Sequence, residues 1–333
     1  MKNISMRDSF FNRLYERARQ DRNICIVSAD MGAPSLDQFR RDLGPQFVNV
    51  GIAEHNMVTV ATGLAMSGKK VFTYAIMPFV TSRCYEMIKV DFSLMNLPVT
   101  TVGVGAGFSY DDSGPTHHST EDLTIMRALP RMTILNGSDS TMAAHFADLA
   151  CELAGPSYVR LDRKVLPDIY PQGYNFSCGL SLLKPGKDLF LIATGNMVHR
   201  ALEVSADLGR HSIDAGVIDL YRVKPIDAGL LLQALNGVKR VVTLEEHLLA
   251  GGMGSAVTEV LADMGRMVPL KRIGIQDQYY YTYGGRENIQ KVCGLDREQV
   301  LGAILEWKNG AGDAQPRWSL GPKRSLTRDA GHV

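Results

Sequence analysis

The first half of the chain alternates short apolar runs with longer segments of helical periodicity. Apolar runs that predict strands are ICIVSAD, QFVNV, KVFTYAI, VTTVGVGAG, MTILNGSD and PSYVRLDR. Helical patterns lie at 1–23, 53–67, 79–95, 119–129 and 140–154. Continuous apolar strands separated by helices are typical of a mostly parallel sheet with helices on both faces. We therefore expect an α/β domain over residues 1–168.

The second half repeats the alternation after a segment rich in proline and glycine. We interpret residues 169–187 as a linker because such punctuation interrupts regular structure. The next predicted strands are DLFLIATGNM, DAGVIDLYRV, KRVVTLEEH and LKRIGIQD. Predicted helices lie near 197–209, 227–236, 253–265 and 297–308. The sequence thus predicts a second, smaller α/β domain over 188–308, with a mostly parallel sheet and helices on both faces, and an irregular tail over 309–333.

Composition narrows the classes of function. The chain has 333 residues, 45% of them hydrophobic, enough for two cores, and its formal net charge is +1. That balance gives no electrostatic basis for binding nucleic acid or an anionic membrane. No uncharged run approaches the roughly twenty residues of a membrane span, and the N-terminus lacks the apolar core of a signal peptide. The five cysteines form no metal-ligand pattern. We expect a cytoplasmic protein that holds no metal itself.

Glu54 is the first candidate for chemistry. It stands near the start of the helix predicted after QFVNVGIA, and the apolar residues that follow it indicate a largely buried helix. A buried, unpaired carboxylate is costly and is usually kept neutral or shared with a hydrogen-bonding partner. The alternative is an exposed Glu54, favoured at the helix N-terminus by the macrodipole.

The segment SYDDSGPTHHSTEDLTIMRAL, residues 109–129, is the second candidate. Ser119 and Asp122 fit a capping box, which places His117 and His118 on the preceding loop at the carboxyl edge of the sheet. Imidazole at this edge suits holding a substrate hydroxyl and moving its proton near neutral pH. A pair of surface histidines is the alternative; a metal site lacks a third ligand.

These segments carry a family resemblance. GIAEHNMV followed by ATGLAMSG, together with the GPTH loop, closely resembles the pyrimidine-binding domain of transketolase and its thiamine diphosphate-dependent relatives. The segments ATGNMVHRAL, DLYRVKPID and VVTLEEHLLAGGMGSAV resemble the C-terminal domain of the same family.

The resemblance implies roles for individual residues. Glu54 matches the glutamate that hydrogen-bonds the aminopyrimidine ring of thiamine diphosphate and so promotes loss of the thiazolium proton. His117 matches the histidine that faces the substrate, and His118 is a further substrate candidate. The segment TYAIMPFVTSRCYEMIKVD matches a pocket that stacks on the aminopyrimidine ring, with Phe79 as first choice.

Six further residues have two interpretations each. Tyr74 and Tyr85 are further cofactor candidates in the same segment, although aromatic residues at such positions are usually core. Asp30, after the strand ICIVSAD, matches an aspartate of the cofactor cleft or else caps the next turn. Arg163 matches an arginine that binds the substrate phosphate, or is simply solvated. Arg83 and Glu86 are spaced for an ion pair on a helix or lie in a subunit interface.

The chain departs from the family pattern in two ways. Ser113 stands where transketolases usually have an aspartate, and the glycine-rich VGVGAG replaces a segment with a histidine. Both missing groups orient sugar hydroxyls in the family, so the usual ketose substrates are in doubt. The chain also has no GDG motif, which in full transketolases holds the diphosphate and its metal.

The resemblance therefore implies the C-terminal subunit of a split transketolase, which transfers a two-carbon ketol unit from a ketose to an aldose. A separate N-terminal subunit would bind the diphosphate and Mg²⁺ and share thiamine diphosphate with this chain, in a heterotetramer built on a homodimer. The alternatives are a deoxyxylulose phosphate synthase-like enzyme, the beta subunit of a 2-oxo acid dehydrogenase, and a non-catalytic regulatory or assembly subunit.

Overall fold

The computed structural model describes residues 4–310, which form two mostly parallel sheets with helices packed against them, as the sequence predicts. The strands of this range are β1 Ile24–Ser28, β2 Phe47–Asn49, β3 Lys70–Ile76, β4 Val99–Val104, β5 Thr133–Asn136, β6 Ser157–Leu161, β7 Ser181–Lys184, β8 Leu189–Ala193, β9 Ala215–Asp219, β10 Arg222–Lys224, β11 Val241–Leu248 and β12 Leu270–Ile275.

Its α-helices are α1 Met6–Gln20, α2 Leu36–Asp42, α3 Glu54–Met66, α4 Met77–Val80, α5 Tyr85–Met87, α6 Asp122–Arg127, α7 Ser140–Glu152, α8 Met197–Arg210, α9 Ala228–Ala234, α10 Met253–Asp263, α11 Arg286–Val292 and α12 Arg297–Lys308. A 3-10 turn at Gly44–Gln46 and a π-helical segment at Ile88–Leu94 complete the regular structure of this range.

The first sheet has seven strands in the order β10-β5-β6-β4-β3-β1-β2. Neighbouring strands are parallel except β10, which runs antiparallel to β5. Every residue of β1, β4 and β6 is buried, because a parallel sheet is covered on both faces. Helices α1 and α7 contribute to one apolar cluster and α3 to another, so the carboxyl edge of the sheet is left for polar loops.

The second sheet has five strands in the order β12-β11-β8-β9-β7, with only β7 antiparallel to its neighbour. The predicted linker 169–187 contributes β7, which pairs with β9 at the edge of this sheet. The predicted strand DAGVIDLYRV is wrong in its second part, because β9 ends at Asp219 and β10 joins the first sheet. Tyr221, between these two strands, is fully buried in the apolar cluster of α1 and α7 and packs 5.5 Å from the ring of Phe176.

A buried arginine joins the two sheets. Arg286, the first residue of α11, lies 2.6 Å from Asp162 Oδ2 beyond β6 and 2.5 Å from Glu246 Oε2 in β11. Glu246 also accepts a hydrogen bond from the Phe108 backbone N–H at 3.0 Å. Removing one partner of such a network leaves an uncompensated buried charge, which is strongly destabilising. The network therefore ties the loops beyond β4 and β6 to the second sheet.

Two sequence expectations concern features at the margins. The predicted tail over 309–333 lies outside the described residues except for Asn309 and Gly310. None of the helices within residues 4–310 is long and apolar enough to cross a membrane.

Asp219 gives the fold a testable pH dependence. Its Oδ2 accepts hydrogen bonds from Ser138 Oγ at 2.6 Å and from the Tyr170 hydroxyl at 2.9 Å, and the residue has no exposed surface. Burial raises the pKa of Asp219 to about 7, because the ionised form loses its solvation by water. Since the pKa is raised on folding, this group's stabilisation is complete below the unfolded pKa and is lost as the pH rises through 7.

We expect Asp219→Asn, which cannot ionise, to escape this loss. Between pH 5 and pH 8 the free energy of unfolding of the variant should rise relative to wild type by about 2 kcal/mol. Urea unfolding of both proteins at the two pH values measures the difference, and groups common to both cancel. A difference that stays constant with pH would contradict the raised pKa.

Candidate active site

Glu54 is the first residue of α3 and is only 5% exposed. The chain leaves β2 and turns through Gly51, whose φ of 75° lies in the region that favours glycine. No side chain caps the helix at Ala53, so the carboxylate of Glu54 is the acidic group at the positive end of the helix dipole. The prediction of a buried carboxylate is confirmed, and the exposed alternative is wrong.

Arg83 is the partner of this carboxylate. A terminal guanidinium nitrogen of Arg83 lies 2.7 Å from Glu54 Oε2. The guanidinium carbon also lies 4.1 Å from the centroid of the Phe79 ring, a cation–π distance. The spacing that suggested a pair between Arg83 and Glu86 is therefore misleading. Arg83 instead bridges Glu54 and Phe79.

The local backbone explains this error. The sequence predicts one helix over 79–95, but α4 ends at Val80, and Thr81 has the non-helical angles φ −110° and ψ −84°. Arg83 lies in the turn between α4 and α5, so the i,i+3 geometry of a continuous helix is lost. The π-helical segment Ile88–Leu94 follows, and π-helical turns are frequent at functional sites.

Cys84 adjoins the same pair but is not a nucleophile. Burial, followed by the nearby Glu54 carboxylate, raises the pKa of Cys84 to about 12. Its Sγ lies 3.3 Å from the carbonyl oxygen of Phe79. The thiol therefore remains protonated near neutral pH, and it serves as a packing group beneath the site.

His117 lies at the next position along the site. Gly114 has a φ of 73°, and its carbonyl accepts a hydrogen bond from the His117 backbone N–H at 3.0 Å, which folds the loop tightly. The His117 ring is partly exposed, and its centroid lies 5.1 Å from that of Phe79, edge to face. Its Nδ1 is 3.0 Å from the Thr116 hydroxyl. The structure thus brings His117 to the Phe79 ring.

His118 points to a different environment. It is only 4% exposed, and its ring packs 5.0 Å from that of Phe108. Its Nε2 has no hydrogen-bond partner within the described part of the chain. Burial lowers the pKa of His118, which favours the neutral ring. The structure therefore separates the two histidines, and contact between His118 and a substrate has no geometric support.

Arg163 lies at the far end of the site. Its guanidinium carbon is 4.6 Å from the centroid of the Tyr110 ring, and one of its nitrogens is 3.4 Å from Asp112 Oδ1. Both members of this pair are exposed, so the pair is weak and easily exchanged for another anion. Ser113, which replaces the expected aspartate, donates its hydroxyl to Asp112 at 2.9 Å.

Tyr110 explains the glycine-rich stretch before the loop. A Cβ atom added at Gly105 would lie 2.3 Å from Cε2 of Tyr110, far inside van der Waals contact. The φ of Gly105, 110°, is also rarely adopted by other residues. The Tyr110 ring thus occupies the space of any side chain at 105, and its centroid lies 5.9 Å from that of His117.

Together these groups form one continuous row along the carboxyl edge of the first sheet. Its members, in order of contact, are Glu54, Arg83, Phe79, His117, Tyr110, Arg163 and Asp112. We call them the site row. Each end of the row has an arginine that stacks on an aromatic ring and pairs with a carboxylate. Such a row can bind a flat hydrogen-bonding ring at one end and an anionic group at the other.

Asp30 lies near the row without joining it. Its backbone N–H donates to Asn49 Oδ1 at 3.0 Å, and the Asn49 amide donates back to Asp30 Oδ1 at 3.1 Å. Asn49 Oδ1 also accepts from the Gly51 N–H at 3.0 Å, so Asp30 braces the turn that leads to Glu54. The alternative, in which the Asp30 side chain caps the next turn, is not seen, because its Oδ1 accepts from Asn49.

Of the two tyrosines predicted beside Phe79, Tyr74 lies in the apolar cluster of α1. Tyr74 has no exposed surface and packs 4.7 Å from the ring of Phe11 on the α1 side of the sheet. Tyr85 is partly buried against the opposite apolar cluster. The prediction that Tyr74 contacts a cofactor therefore fails on burial, since side chains of a strand alternate between the two faces.

The predicted capping box is also wrong, and its failure uncovers a residue that the sequence analysis missed. Helix α6 begins at Asp122, but the Asp122 carboxylate is buried and accepts from Arg160 Nε at 2.7 Å and from the Tyr158 hydroxyl at 2.7 Å. Arg160 also donates to the carbonyl of Ser119 at 3.0 Å. Arg160 therefore fixes the end of the histidine loop. Its only sequence signal was a charge inside a buried strand.

Family models agree with the geometry. A model described as the transketolase pyrimidine binding domain matches residues 2–168, and one described as the transketolase C-terminal domain matches residues 180–300.

The chain is also similar to curated proteins along most of its length. It is 36% identical to an apulose-4-phosphate transketolase subunit of Phocaeicola vulgatus, over 91% of this chain and 97% of that protein. It is 34% identical to a 6-deoxy-6-sulfo-D-fructose transketolase subunit of a Clostridium species, over 90% of this chain and 94% of that protein. By contrast, it matches 1-deoxy-D-xylulose-5-phosphate synthases over only 46–48% of their length.

A solved structure is similar as well. It is described as a split-gene transketolase, an inactive beta4 tetramer, and it superposes with a TM-score of 0.82 at 31% identity. The match covers 91% of this chain and 97% of that chain.

Proposed function

The chain belongs to the transketolase family as the C-terminal subunit of a split transketolase, and from this premise we propose how its residues serve the transfer of a two-carbon ketol unit from a ketose to an aldose. The observation that carries the proposal is the site row, because it combines a buried carboxylate, an aromatic face and an imidazole within contact distance.

The residues present fit thiamine diphosphate, the cofactor on which this family depends. The fit rests on Arg83, whose flat guanidinium lies 2.7 Å from Glu54 Oε2 and stacks 4.1 Å from the Phe79 centroid. An aminopyrimidine ring is likewise flat, bears N–H donors and stacks on aromatic faces. When bound, the cofactor supplies the nucleophilic carbon that carries the two-carbon unit between sugars.

The chain's own residues would then divide the work. Glu54 would share a proton with a ring nitrogen of the aminopyrimidine, and its burial strengthens that hydrogen bond because water is excluded. Phe79 stacks on the ring and orients it, which contributes on the order of 1 kcal/mol beyond burial. His117, beside Phe79, holds a substrate hydroxyl and moves its proton, with Thr116 orienting the imidazole through Nδ1.

A second chain would complete the site. We propose that an N-terminal partner chain holds the diphosphate and Mg²⁺, and that two copies of this chain form the core of a heterotetramer. The proposal is supported by the relatives, each of which is named as one subunit of a transketolase, and by the missing GDG motif. The presence of Glu54 and His117 favours a catalytic role of this chain over a regulatory one, since packing alone requires neither residue.

The other end of the site row points to the class of sugar. Tyr110 occupies the space of a side chain at Gly105, in the segment where the family resemblance leads us to expect a hydroxyl-binding histidine, and Ser113 donates its hydroxyl to Asp112. Arg163 is held only by an exposed pair and remains able to bind a terminal anion. Both relatives are named for unusual ketoses that carry a phosphate or a sulfo group. We therefore propose a modified or branched ketose with a terminal anion as donor.

A donor comparison tests the substrate class. We expect the assembled two-chain enzyme to have a higher kcat/KM for a modified ketose, such as apulose 4-phosphate or 6-deoxy-6-sulfofructose, than for xylulose 5-phosphate. A site lacking hydroxyl-binding groups gains little from the hydroxyls of the usual donor. If xylulose 5-phosphate is clearly the best donor, the two substitutions are compensated by other residues and the proposed substrate class is wrong.

A further inference from the structure

We infer that Arg83 is an internal substitute for the aminopyrimidine ring: in the free chain its guanidinium occupies the place between Glu54 and Phe79, and it must leave when thiamine diphosphate binds. The inference rests on the proposed function. It adds a conformational step, made by this chain, to cofactor binding.

Arg83 contacts the two groups that are proposed to hold the aminopyrimidine ring. Its guanidinium uses Glu54 Oε2 at 2.7 Å and the face of Phe79 at 4.1 Å, the two groups proposed to hold the aminopyrimidine ring. A guanidinium and an aminopyrimidine are both flat, N–H-donating and suited to stacking on an aromatic ring. Two such groups cannot occupy the same oxygen and ring face together, so binding of one excludes the other.

The burial of Glu54 means that its carboxylate needs a partner in the free chain. Its side chain is 6% exposed, and Arg83 is its only ion-pair partner within residues 4–310. A buried carboxylate without a partner is costly. The free chain therefore requires a partner for this carboxylate before the cofactor arrives, and the cofactor then takes the place of that partner.

The Arg83 side chain is able to rotate away from Glu54 into solvent. Its side chain is 40% exposed, whereas Glu54 below it is closed off. Arg83 lies in the turn between α4 and α5, outside a continuous helix, and a long flexible stem can rotate into solvent without unfolding the backbone. The guanidinium leaves through rotation of its own side chain, and the pocket keeps its shape.

Cofactor affinity measures this competition. We expect Arg83→Met, in the enzyme assembled with its N-terminal partner and Mg²⁺, to lower the Kd for thiamine diphosphate about fivefold or more, as determined by calorimetry. The same substitution should lower the thermal midpoint of the free chain, because Glu54 is then buried without a partner. A tighter cofactor together with a less stable free chain is the signature of an internal substitute.

Arg40 offers a matched control. Its guanidinium lies 4.9 Å from the Phe47 centroid and 2.7 Å from Asp37, and its side chain is 38% exposed. Arg40 thus repeats the arrangement of arginine, aromatic ring and carboxylate away from the site row. Arg40→Met should leave the Kd for thiamine diphosphate within twofold of wild type.

The outcomes separate this inference from the proposed function. If Arg83→Met binds the cofactor as wild type does, or more weakly, Arg83 does not compete with the ring and the inference is wrong. If wild type assembled with its partner binds no thiamine diphosphate, the proposed function itself fails. Should Arg83→Met not fold, Arg83→Met combined with Glu54→Gln is compared with Glu54→Gln alone. A Kd at least twofold lower then supports the inference, and an unchanged or higher Kd overturns it.

Discussion

Glu54→Gln is expected to slow ketol transfer by the assembled enzyme about 10²-fold or more, the scale of a general acid–base contribution. Glutamine keeps the shape of the side chain and can still hydrogen-bond the aminopyrimidine ring, so cofactor binding should survive roughly intact. The amide cannot share or exchange a proton as a carboxylate does. The loss should therefore appear in kcat, and the Kd for thiamine diphosphate should change little.

Exchange of the thiazolium carbon proton of the bound cofactor with deuterium reports this step directly. We expect the exchange rate to fall by the same factor of about 10² in Glu54→Gln. Glu86→Gln is the matched control, because Glu86 is exposed, lies three residues from Arg83 and forms no ion pair with it within residues 4–310. An unchanged exchange rate in Glu54→Gln would mean that the buried carboxylate is only structural.

The parts of the fold that the sequence predicts best are those set by local patterns. Continuous apolar runs predicted β1, β3, β4 and β6 of the first sheet and β8, β9, β11 and β12 of the second, since a buried parallel strand needs apolar residues on both faces. The helix α3 and the burial of Glu54 follow from the apolar residues around one segment. Each of these features is determined by a short stretch of neighbouring residues.

The parts that the sequence could not predict depend on long-range contacts. Arg83 pairs with Glu54 from a separate helical segment beyond β3, and Arg160 pairs with Asp122 across 38 residues. Neither pairing has a spacing signal, and each displaced a local prediction, the Arg83–Glu86 pair and the capping box. Strand β10 pairs with β5 of the first sheet, and the neighbouring Tyr221 is buried in the apolar cluster of α1 and α7; no pattern near DLYRV indicates this pairing.

Burial decided which candidate residues belong to the site. Phe79, His117 and Arg163 all lie in the site row with Glu54. Tyr74 and His118 share segments with them but point into cores. The sequence could nominate the segments, but not which side chain of each segment faces the ligand.

We propose that this chain holds half of an active site. The row from Glu54 to Asp112 has contacts for a flat ring and for a terminal anion, and the cradle for the diphosphate and Mg²⁺ is proposed to lie on another chain. The solved relative described as a split-gene transketolase is an inactive beta4 tetramer, which is what such a division predicts for that protein without its partner.

Ketol transfer by the separate and the mixed chains measures whether the active site is divided between them. This chain, its N-terminal partner and their mixture are each assayed with thiamine diphosphate, Mg²⁺, a modified ketose donor and an aldose acceptor. We predict no turnover by either chain alone, and turnover that rises with added partner and saturates at one copy of each chain. Glu54→Gln chain added as a competitor should lower the rate of the mixture by assembling without turning over. Robust turnover by this chain alone would contradict the division of the active site between two chains.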